Sequence, residues 1–545
     1  MDFSRKAQII DEILTKASVR NTPRPPKRRG WWNSELIDLR KHALKLLRTF
    51  KQKGDSLSYK AYSVARAAFH KQCKAAKKSF KDMEFRQTID ILSSRGITGL
   101  FSHFKRKGSA VACPINPEKL REASQKLFAC FSSPILEFIP SCLDIFNPLV
   151  AQVTLEEICQ VSKTMKSKAP SLNGFSPLQI KTLIPDLGPL LRDIFNDSLA
   201  NASFPLNWLE SCLFYIYKKG DKHDPNNYRS ISIENPFLKC FMKILQRRLY
   251  TFSEDNGLLP MFQFGFRKNH STVSASYLLY DLAKNQFSMK KRLYACFFDF
   301  RKAFDLVDRS LLMVKLQLLG LPSSFCSLLF FLLKNLKLHV RDDSTVSEPF
   351  YSLNGVPQGD AISPILFSLF ISDLPEYLRH CAPRLNGVPV PYILFADDLV
   401  VLAESKKELQ IAIDSVESYC RNSNLSINVL KTQYMVFYNG VLPKIDRMAK
   451  LAGKQLVNTN SFAYLGFTFT TRLKFSEHGK NLCHKAKLEL VHYSTSFIFT
   501  IFPSICWWMY SLFISCLFSF MASLFGFPSP VIQPKYGECS VLQMC

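Results

Sequence analysis

Tyr392-Ile393-Leu394-Phe395-Ala396-Asp397-Asp398-Leu399-Val400-Val401-Leu402 sets two adjacent carboxylates between two apolar runs. The runs are short and rich in β-branched and aromatic residues, which predicts two strands with the acidic pair at the tip of the hairpin joining them. Unpaired charge beside a buried sheet is costly, so carboxylates there need either solvent or a cation. An Asp-Asp at a turn is ordinary by itself, because aspartate hydrogen-bonds its local backbone in turns. A third carboxylate, about a hundred residues upstream, changes the reading. Asp299 directly follows the apolar run Leu293-Tyr294-Ala295-Cys296-Phe297-Phe298. Three carboxylates on neighbouring strand ends form a pocket for hard divalent cations, which take oxygen ligands and bridge to substrate phosphates. Two such ions clamp the attacking and leaving oxygens of an in-line phosphoryl displacement. Phosphoryl transfer is the chemistry that follows.

Three stretches carry more than this. Asp299-Phe300-Arg301-Lys302-Ala303-Phe304-Asp305 and Phe395-Ala396-Asp397-Asp398 flank Gly355-Val356-Pro357-Gln358-Gly359-Asp360-Ala361-Ile362-Ser363-Pro364-Ile365-Leu366-Phe367. In this order and spacing they resemble the first catalytic motif, the aromatic-Ala-Asp-Asp box and the Gly-Val-Pro-Gln-Gly segment of reverse transcriptases from non-LTR (LINE-like) retrotransposons. Lys218-Lys219-Gly220-Asp221 through Asn227-Tyr228-Arg229-Ser230-Ile231-Ser232 resembles the fingers segment, with Ser230 where the family usually has proline. Gln263-Phe264-Gly265-Phe266-Arg267-Lys268 through His270-Ser271-Thr272 is similar to the next block. Lys168-Ala169-Pro170-Ser171-Leu172-Asn173-Gly174 resembles a Lys-Ala-Pro-Gly-Pro-Asp-Gly motif of the class, with Ser171, Leu172 and Asn173 substituted. Leu425-Ser426-Ile427-Asn428 with Lys431-Thr432 resembles the palm's lysine motif, and Tyr464-Leu465-Gly466 the primer-grip turn. The likeness runs from about residue 150 to about 490.

The resemblance implies an α+β right-hand polymerase: fingers over 150–290, a palm over 291–440 built as an antiparallel sheet backed by helices, and a thumb with an apolar helical extension over 441–545. The reverse transcriptase core would span about 199–470, with buried helices over 311–319 and 328–333. It implies RNA-directed DNA synthesis on a primer 3′ end, with an RNA template, a DNA primer and deoxynucleoside triphosphates as partners. RNA as template rests on the resemblance, since a metal site alone would serve any nucleic-acid polymerase. Asp299 and Asp397 would bridge two magnesium ions (manganese being the alternative), with Asp398 assisting and the Phe300 carbonyl as a further ligand. Phe304 would sit under the sugar and exclude a ribose 2′-hydroxyl; without its register to Asp299 it reads as core. Arg229 and Lys218 are candidates for the triphosphate, guanidinium giving bidentate contacts and ammonium a point charge, and Lys219 competes with Lys218. Gln358 can present its amide to the nascent base pair or template, while Gly355 and Gly359 permit close backbone approach. Lys431 is a candidate proton donor to the leaving pyrophosphate; otherwise it is a solvated lysine. Asp305 and Asp308 read as a cap or solvated face at the next helix start. Asp360 stands where the family most often has a small hydroxyl residue, and would repel a triphosphate unless it faces away or meets a cation.

Composition extends the reading to the flanks. The chain has 545 residues and a net charge of +27, and its first 110 residues hold 26 Lys+Arg against 9 Asp+Glu. A basic arm of this kind suits a phosphate backbone through counterion release, although a solvated helix face has the same composition. Leu36, Leu39, Ala43, Leu46 and Phe50 recur at helical spacing. Trp31-Trp32-Asn33 with Glu35-Leu36 resembles the linker that joins endonuclease to polymerase in these proteins. A basic helical linker is thus expected over 31–149, behind a disordered basic tail over 1–30, where Pro23, Pro25 and Pro26 precede Lys27-Arg28-Arg29. That tail also suits nuclear localisation.

The 16 cysteines include no Cys-x-x-Cys pair, against a zinc knuckle. Their scatter fits a reducing, intracellular setting, with the nucleus as the site of action. No nuclease carboxylate cluster follows the thumb, so a polymerase fragment without its endonuclease is expected, with a nuclease in trans as a further partner. From Tyr493 to Pro534 there is no Asp, Glu, Lys or Arg, long enough for a membrane span. Pro503 interrupts that run, and Tyr510-Ser511-Leu512-Phe513-Ile514 through Phe520 and Phe525-Gly526 is similar to the family's post-thumb helix. A helical extension is favoured over a membrane span. The rival readings are a degenerate copy that binds nucleic acid without polymerising and a membrane-associated protein.

Overall fold

The computed structural model describes residues 32–105 except 54, 113–128, 147–440 except 166–168, 170, 173, 342–344 and 380–381, and 449–474 with 481. The basic tail, Trp31, the Lys168, Pro170 and Asn173 positions, and the apolar run after 492 lie outside these residues. No helix among the described residues is long and apolar enough to cross a membrane.

The chain divides into two units, Met1–Pro114 and Ile115–Cys545. In the first, the helices Ser34–Lys53 and Ser56–Lys105 pack against each other. Asn33 starts the former by accepting the Leu36 N–H at 3.0 Å, and Asp55 starts the latter by accepting the Ser58 N–H at 2.7 Å. Leu36 and Ala43 are buried, while Leu39, Leu46 and Phe50 are half-buried. The helical spacing read from sequence is therefore the packed face.

The second unit begins its regular structure with the helix Pro117–Phe128, ahead of the 149/150 division expected from sequence. Three further helices, Leu155–Lys163, Pro177–Asn201 and Pro236–Asp255, pack together. Thr154 with Glu157 and Ser176 with Gln179 form reciprocal caps that start the first two. Phe195, Phe204, Trp208, Phe237 and Phe241 stack between them.

Strand β1 (Glu210–Tyr217) pairs antiparallel with β2 (Tyr228–Glu234). After β3 (Leu293–Asp299), the helices Arg309–Leu318 and Ser323–Lys334 appear where buried helices are expected. The chain then returns to the first sheet: β4 (Lys337–Val340) lies parallel to β1, and β5 (Phe350–Tyr351) adds antiparallel to β4. A linear division at residue 290 does not foresee this return, because strand pairing between distant segments leaves no local pattern. The helix Pro117–Phe128 packs on β4 and β5, with Phe128 stacked on Phe350 at 6.5 Å.

After the small hairpin β6 (Arg384–Leu385) and β7 (Val388–Pro389) come β8 (Tyr392–Phe395) and β9 (Asp398–Ala403), the hairpin read from sequence. Then follow β10 (Gln433–Phe437), the hairpin β11 (Lys450–Leu451) and β12 (Lys454–Gln455), β13 (Val457–Asn458), and the hairpin β14 (Ser461–Tyr464) and β15 (Phe467–Thr470). The second sheet has the order β13-β10-β3-β9-β8 and is antiparallel throughout except for its parallel β10–β13 edge. Strands β3, β8, β9 and β10 carry apolar runs because both faces are covered. The helix Lys406–Asn422 buries Leu409, Ala412, Ile413, Val416 and Tyr419 as it packs on β3 and β9. The helix Thr272–Ser288 and the β14–β15 hairpin close the opposite face, where Phe297 stacks on Phe462 at 4.1 Å. The polar ends of β3 and β9 emerge from this core together.

Candidate active site

Asp299, the last residue of β3, is the register partner of Asp398, the first residue of β9. Asp397 occupies the turn just before it. The turn is tight: Ala396 has φ +57°, a conformation uncommon for a residue with a side chain. Gln263 holds it there. Its side-chain oxygen accepts the N–H of Ala396 at 3.0 Å and that of Gly265 at 2.8 Å. A Cβ on Gly265 would collide with the Ala396 nitrogen, so only glycine permits this approach. Sequence reading placed Gln263 in a family block without a role; its only signal was an amide two residues before a glycine.

From the other side the segment Leu425–Thr432 supports Asp299. The Asn428 N–H donates to the Asp299 carbonyl at 2.8 Å, and the Arg301 N–H to the Ser426 carbonyl at 2.8 Å. These bonds fix the intervening Phe300 peptide, which bridges antiparallel to Ile427. Lys431 Nζ lies 3.7 Å from Asp299 Oδ2.

Electrostatics reflect this crowding. Burial pushes the Asp397 carboxyl up, Asp299 adds to the rise, and its own backbone N–H, Arg229 and Lys218 oppose it. Burial, then Asp397 and Asp299, push Asp398 up to about 6. Burial lowers Lys218, as do the neighbouring charges of Arg229, Lys431 and Lys302, against the pull of Asp305. Lys218, Arg229 and Lys431 thus gather around the acidic centre, with Lys218 rather than Lys219 acting on Asp397. Lys218 follows β1 and Arg229 lies on β2, joined through the Lys218 N–H donating to the Asn227 carbonyl at 2.9 Å.

The loop containing Gln358 docks on the segment after Asp299. The Gly355 N–H donates to the Val307 carbonyl at 2.8 Å, and the Val356 N–H to the Phe304 carbonyl at 2.8 Å. Gln358 donates to Asp305 Oδ1 at 3.0 Å. Of the two acids expected as caps, Asp308 is one, accepting the Leu311 N–H at 3.1 Å. Asp305 is not: it is buried, and burial raises it to about 6 despite Gln358, Lys302, Lys218 and Arg229. Asp360, expected to repel a triphosphate unless it faces away or meets a cation, is buried, and the charged groups acting on it are Glu234 and Lys239. Phe304 is half-buried, stacked on Phe367 at 4.5 Å and edge-on to Phe266 at 6.4 Å.

Arg309 was not singled out from sequence. Its buried guanidinium donates to the Gly355 carbonyl at 2.8 Å, the Leu333 carbonyl at 2.8 Å, the Ser352 carbonyl at 2.5 Å and Ser352 Oγ at 2.9 Å. Burial lowers it to about 9. The one local hint was a cation in the first turn of a helix, where the dipole disfavours it.

Among the described residues no three His, Cys, Asp or Glu side chains converge as a ready metal site. The expected three-carboxylate pocket is thus present as neighbouring strand ends, not as converged ligands. Neighbouring like charges repel. The donor set nonetheless fits a hard divalent ion, since a cation between Asp299, Asp397 and Asp398 would reverse the repulsion that raises Asp398.

Residues 216–469 match the family described as reverse transcriptase (RNA-dependent DNA polymerase). The chain is similar to the RNA-directed DNA polymerase from mobile element jockey of Drosophila melanogaster, 30% identical over 64% of this chain and 38% of that one. It is similar also to the probable RNA-directed DNA polymerase from transposon BS of the same organism, 29% identical over 61% of this chain and 37% of that one. A third relative is the Pol polyprotein from the type-1 retrotransposable element R2 of Nasonia vitripennis, 27% identical over 44% and 23%. The chain therefore spans well under half the length of these relatives. An apo telomerase structure from Candida tropicalis, truncated from its C-terminal domain, aligns over 49% of this chain and 54% of that one at 13% identity. Its TM-score of 0.34 is too low to carry an argument.

Proposed function

Residues 216–469 of this chain belong to the reverse transcriptase family, within the non-LTR retrotransposon class of its relatives, and from that premise we propose that the chain is an RNA-directed DNA polymerase. The observation that supports this most is the pairing of Asp299 with Asp398 across β3 and β9, with Asp397 in the turn beside them. Asp299, Asp397 and Asp398, with the Phe300 carbonyl, would hold two magnesium or manganese ions, which neutralise charge on the transferring phosphoryl group.

The chain's own residues position the reactants. Arg229 and Lys218 grip the triphosphate of the incoming deoxynucleotide, Arg229 as a fork and Lys218 as a point charge. Phe304, braced on Phe367, sits beneath the sugar and excludes a 2′-hydroxyl. Gln358, its amide N–H₂ held by Asp305, leaves its carbonyl end for the nascent base pair. Lys431, beside Asp299, protonates the leaving pyrophosphate. Template and primer are RNA and DNA, and the basic helices of the first unit suit their phosphates.

Primer extension on a primed RNA template with magnesium, beside the Asp397→Ala, Asp398→Ala double variant, tests this. Extension by the parent that vanishes in the variant supports it. A folded parent that binds the primed template and extends nothing would overturn it in favour of a degenerate nucleic-acid-binding copy.

A further inference from the structure

Glu234 ends β2, and Asp360 lies on the loop that carries Gln358, ahead of the helix Ser363–Phe370. Both carboxyls are deeply buried, at 1% and 4% exposure, and they are close enough for each to act on the other's charge. Glu234 Oε2 and Asp360 Oδ2 have no conventional donor. Ionised carboxylates only accept, so a bond between two of them requires a proton on one. The partners identify which. Asp360 accepts the N–H groups of Ile362, at 3.3 Å, and Ala361, which favour its charged form. Glu234 has no such support, and burial and Asp360 both push it well above the ordinary carboxylate range. Lys239, on the helix Pro236–Asp255, is the cation felt by both.

The pair is one of three contacts along a single seam. The Ser232 N–H donates to the Gln358 carbonyl at 2.7 Å. Gly359, at φ +107°, lies so close that a Cβ there would sit 2.8 Å from the Ser232 carbonyl oxygen. The seam joins β2, which carries Arg229, to the loop that carries Gln358. We propose that Glu234 and Asp360 share one proton and act as a clasp, positioning Gln358 against the Arg229 strand so that nucleotide affinity depends on that proton.

This assignment rests on the polymerase reading for its kinetic consequence only. Removing the proton leaves two adjacent negative charges in a buried site. They repel, the seam opens, and Arg229 and Gln358 lose their fixed separation. The chemical step, carried by the β3–β9 carboxylates, is not moved.

The test is the pH profile of the deoxynucleotide KM and of kcat, for the parent and for Glu234→Gln. The amide introduced by that substitution would still donate to Asp360 but cannot ionise. The parent's KM should rise by about tenfold as pH is raised above the ordinary carboxylate range, with kcat far less affected, and the variant's should stay flat. Asp360→Asn, which reverses the direction of the bond, should flatten it as well. An unchanged rise in both variants overturns the clasp. Thermal unfolding against pH decides the shared proton independently of activity. Folded Glu234 binds its proton more tightly than the unfolded chain does, so the parent loses stability as pH rises above the carboxylate range, and Glu234→Gln should lose less. Parallel slopes overturn the clasp even in a chain that extends no primer. A parent without extension but with diverging slopes overturns the polymerase reading and keeps the clasp.

Discussion

The side-chain oxygen of Gln263 accepts the backbone N–H of Ala396 at 3.0 Å, which fixes the turn that presents Asp397 from 133 residues away in sequence. That oxygen also serves the Gly265 N–H. Gln263→Leu would leave two buried N–H groups without an acceptor, at about 1–3 kcal/mol each. We expect kcat for primer extension to fall by more than about tenfold, with the deoxynucleotide KM close to that of the parent. Steady-state kinetics beside a melting curve would check it; a fall in stability with kcat intact would show that the turn holds itself.

Asp397→Ala with Asp398→Ala should abolish extension without destabilising the protein above about pH 6. Both carboxyls are raised in the folded state, Asp398 to about 6, so their ionisation opposes folding at neutral pH. Thermal melts of the parent and the double variant at neutral pH are the measurement. A clearly lower melting temperature for the variant would contradict it.

Asp305 makes the cleaner pH prediction because it is buried. Its shift from 3.8 to about 6 means that the folded state holds the proton more tightly. The stability this contributes is complete below the unfolded pKa and is lost as pH rises through about 6, a swing of about 3 kcal/mol. Asp305→Asn, still able to accept from Gln358, should therefore stabilise the protein above about pH 6 and leave it unchanged near pH 4. Denaturant unfolding at the two pH values would reveal the difference, and equal effects at both would refute it.

Phe304→Ala should admit ribonucleotides. The ring is braced by Phe367 at 4.5 Å, so truncation opens space under the sugar without disturbing the neighbouring strands. Discrimination between deoxy- and ribonucleotides, read as the ratio of kcat/KM values, should fall by at least about tenfold. An unchanged ratio would remove Phe304 from that role.

Arg309→Met should cost about 3–5 kcal/mol, because four buried acceptors around Gly355, Leu333 and Ser352 lose their donor. Equilibrium unfolding measures it directly. A loss under about 1 kcal/mol would mean that the loop is held by its backbone contacts alone.

Much of this protein is legible locally. The apolar runs before Asp299 and around Asp397-Asp398 are strands because each is short, β-branched and contiguous, and a period-free apolar run of that length is a buried strand once both faces are covered. The spacing of Leu36 and Ala43 likewise marks a buried helix face before any contact is known. Motif order was enough to single out Asp299, Asp397, Asp398, Lys218, Arg229, Phe304, Gln358 and Lys431, and the fold brings the carboxylates, Lys218, Arg229 and Lys431 into one electrostatic neighbourhood.

What the chain's order alone determined, then, was which segments are strands and helices and which residues are candidates for the chemistry, since both follow from side chains a few positions apart. Tertiary structure decided how those residues are held. Asp305 and Asp308 are three positions apart, yet one is a buried acceptor for Gln358 and the other a helix cap. Asp360 looks like a misplaced charge in sequence and is instead the partner of Glu234, 126 residues earlier. The return of β4 and β5 to the first sheet and the reach of Gln263 to Ala396 are of the same kind. A carboxylate's protonation and a backbone amide's acceptor depend on which distant groups share its buried space, and only the folded chain brings those groups together.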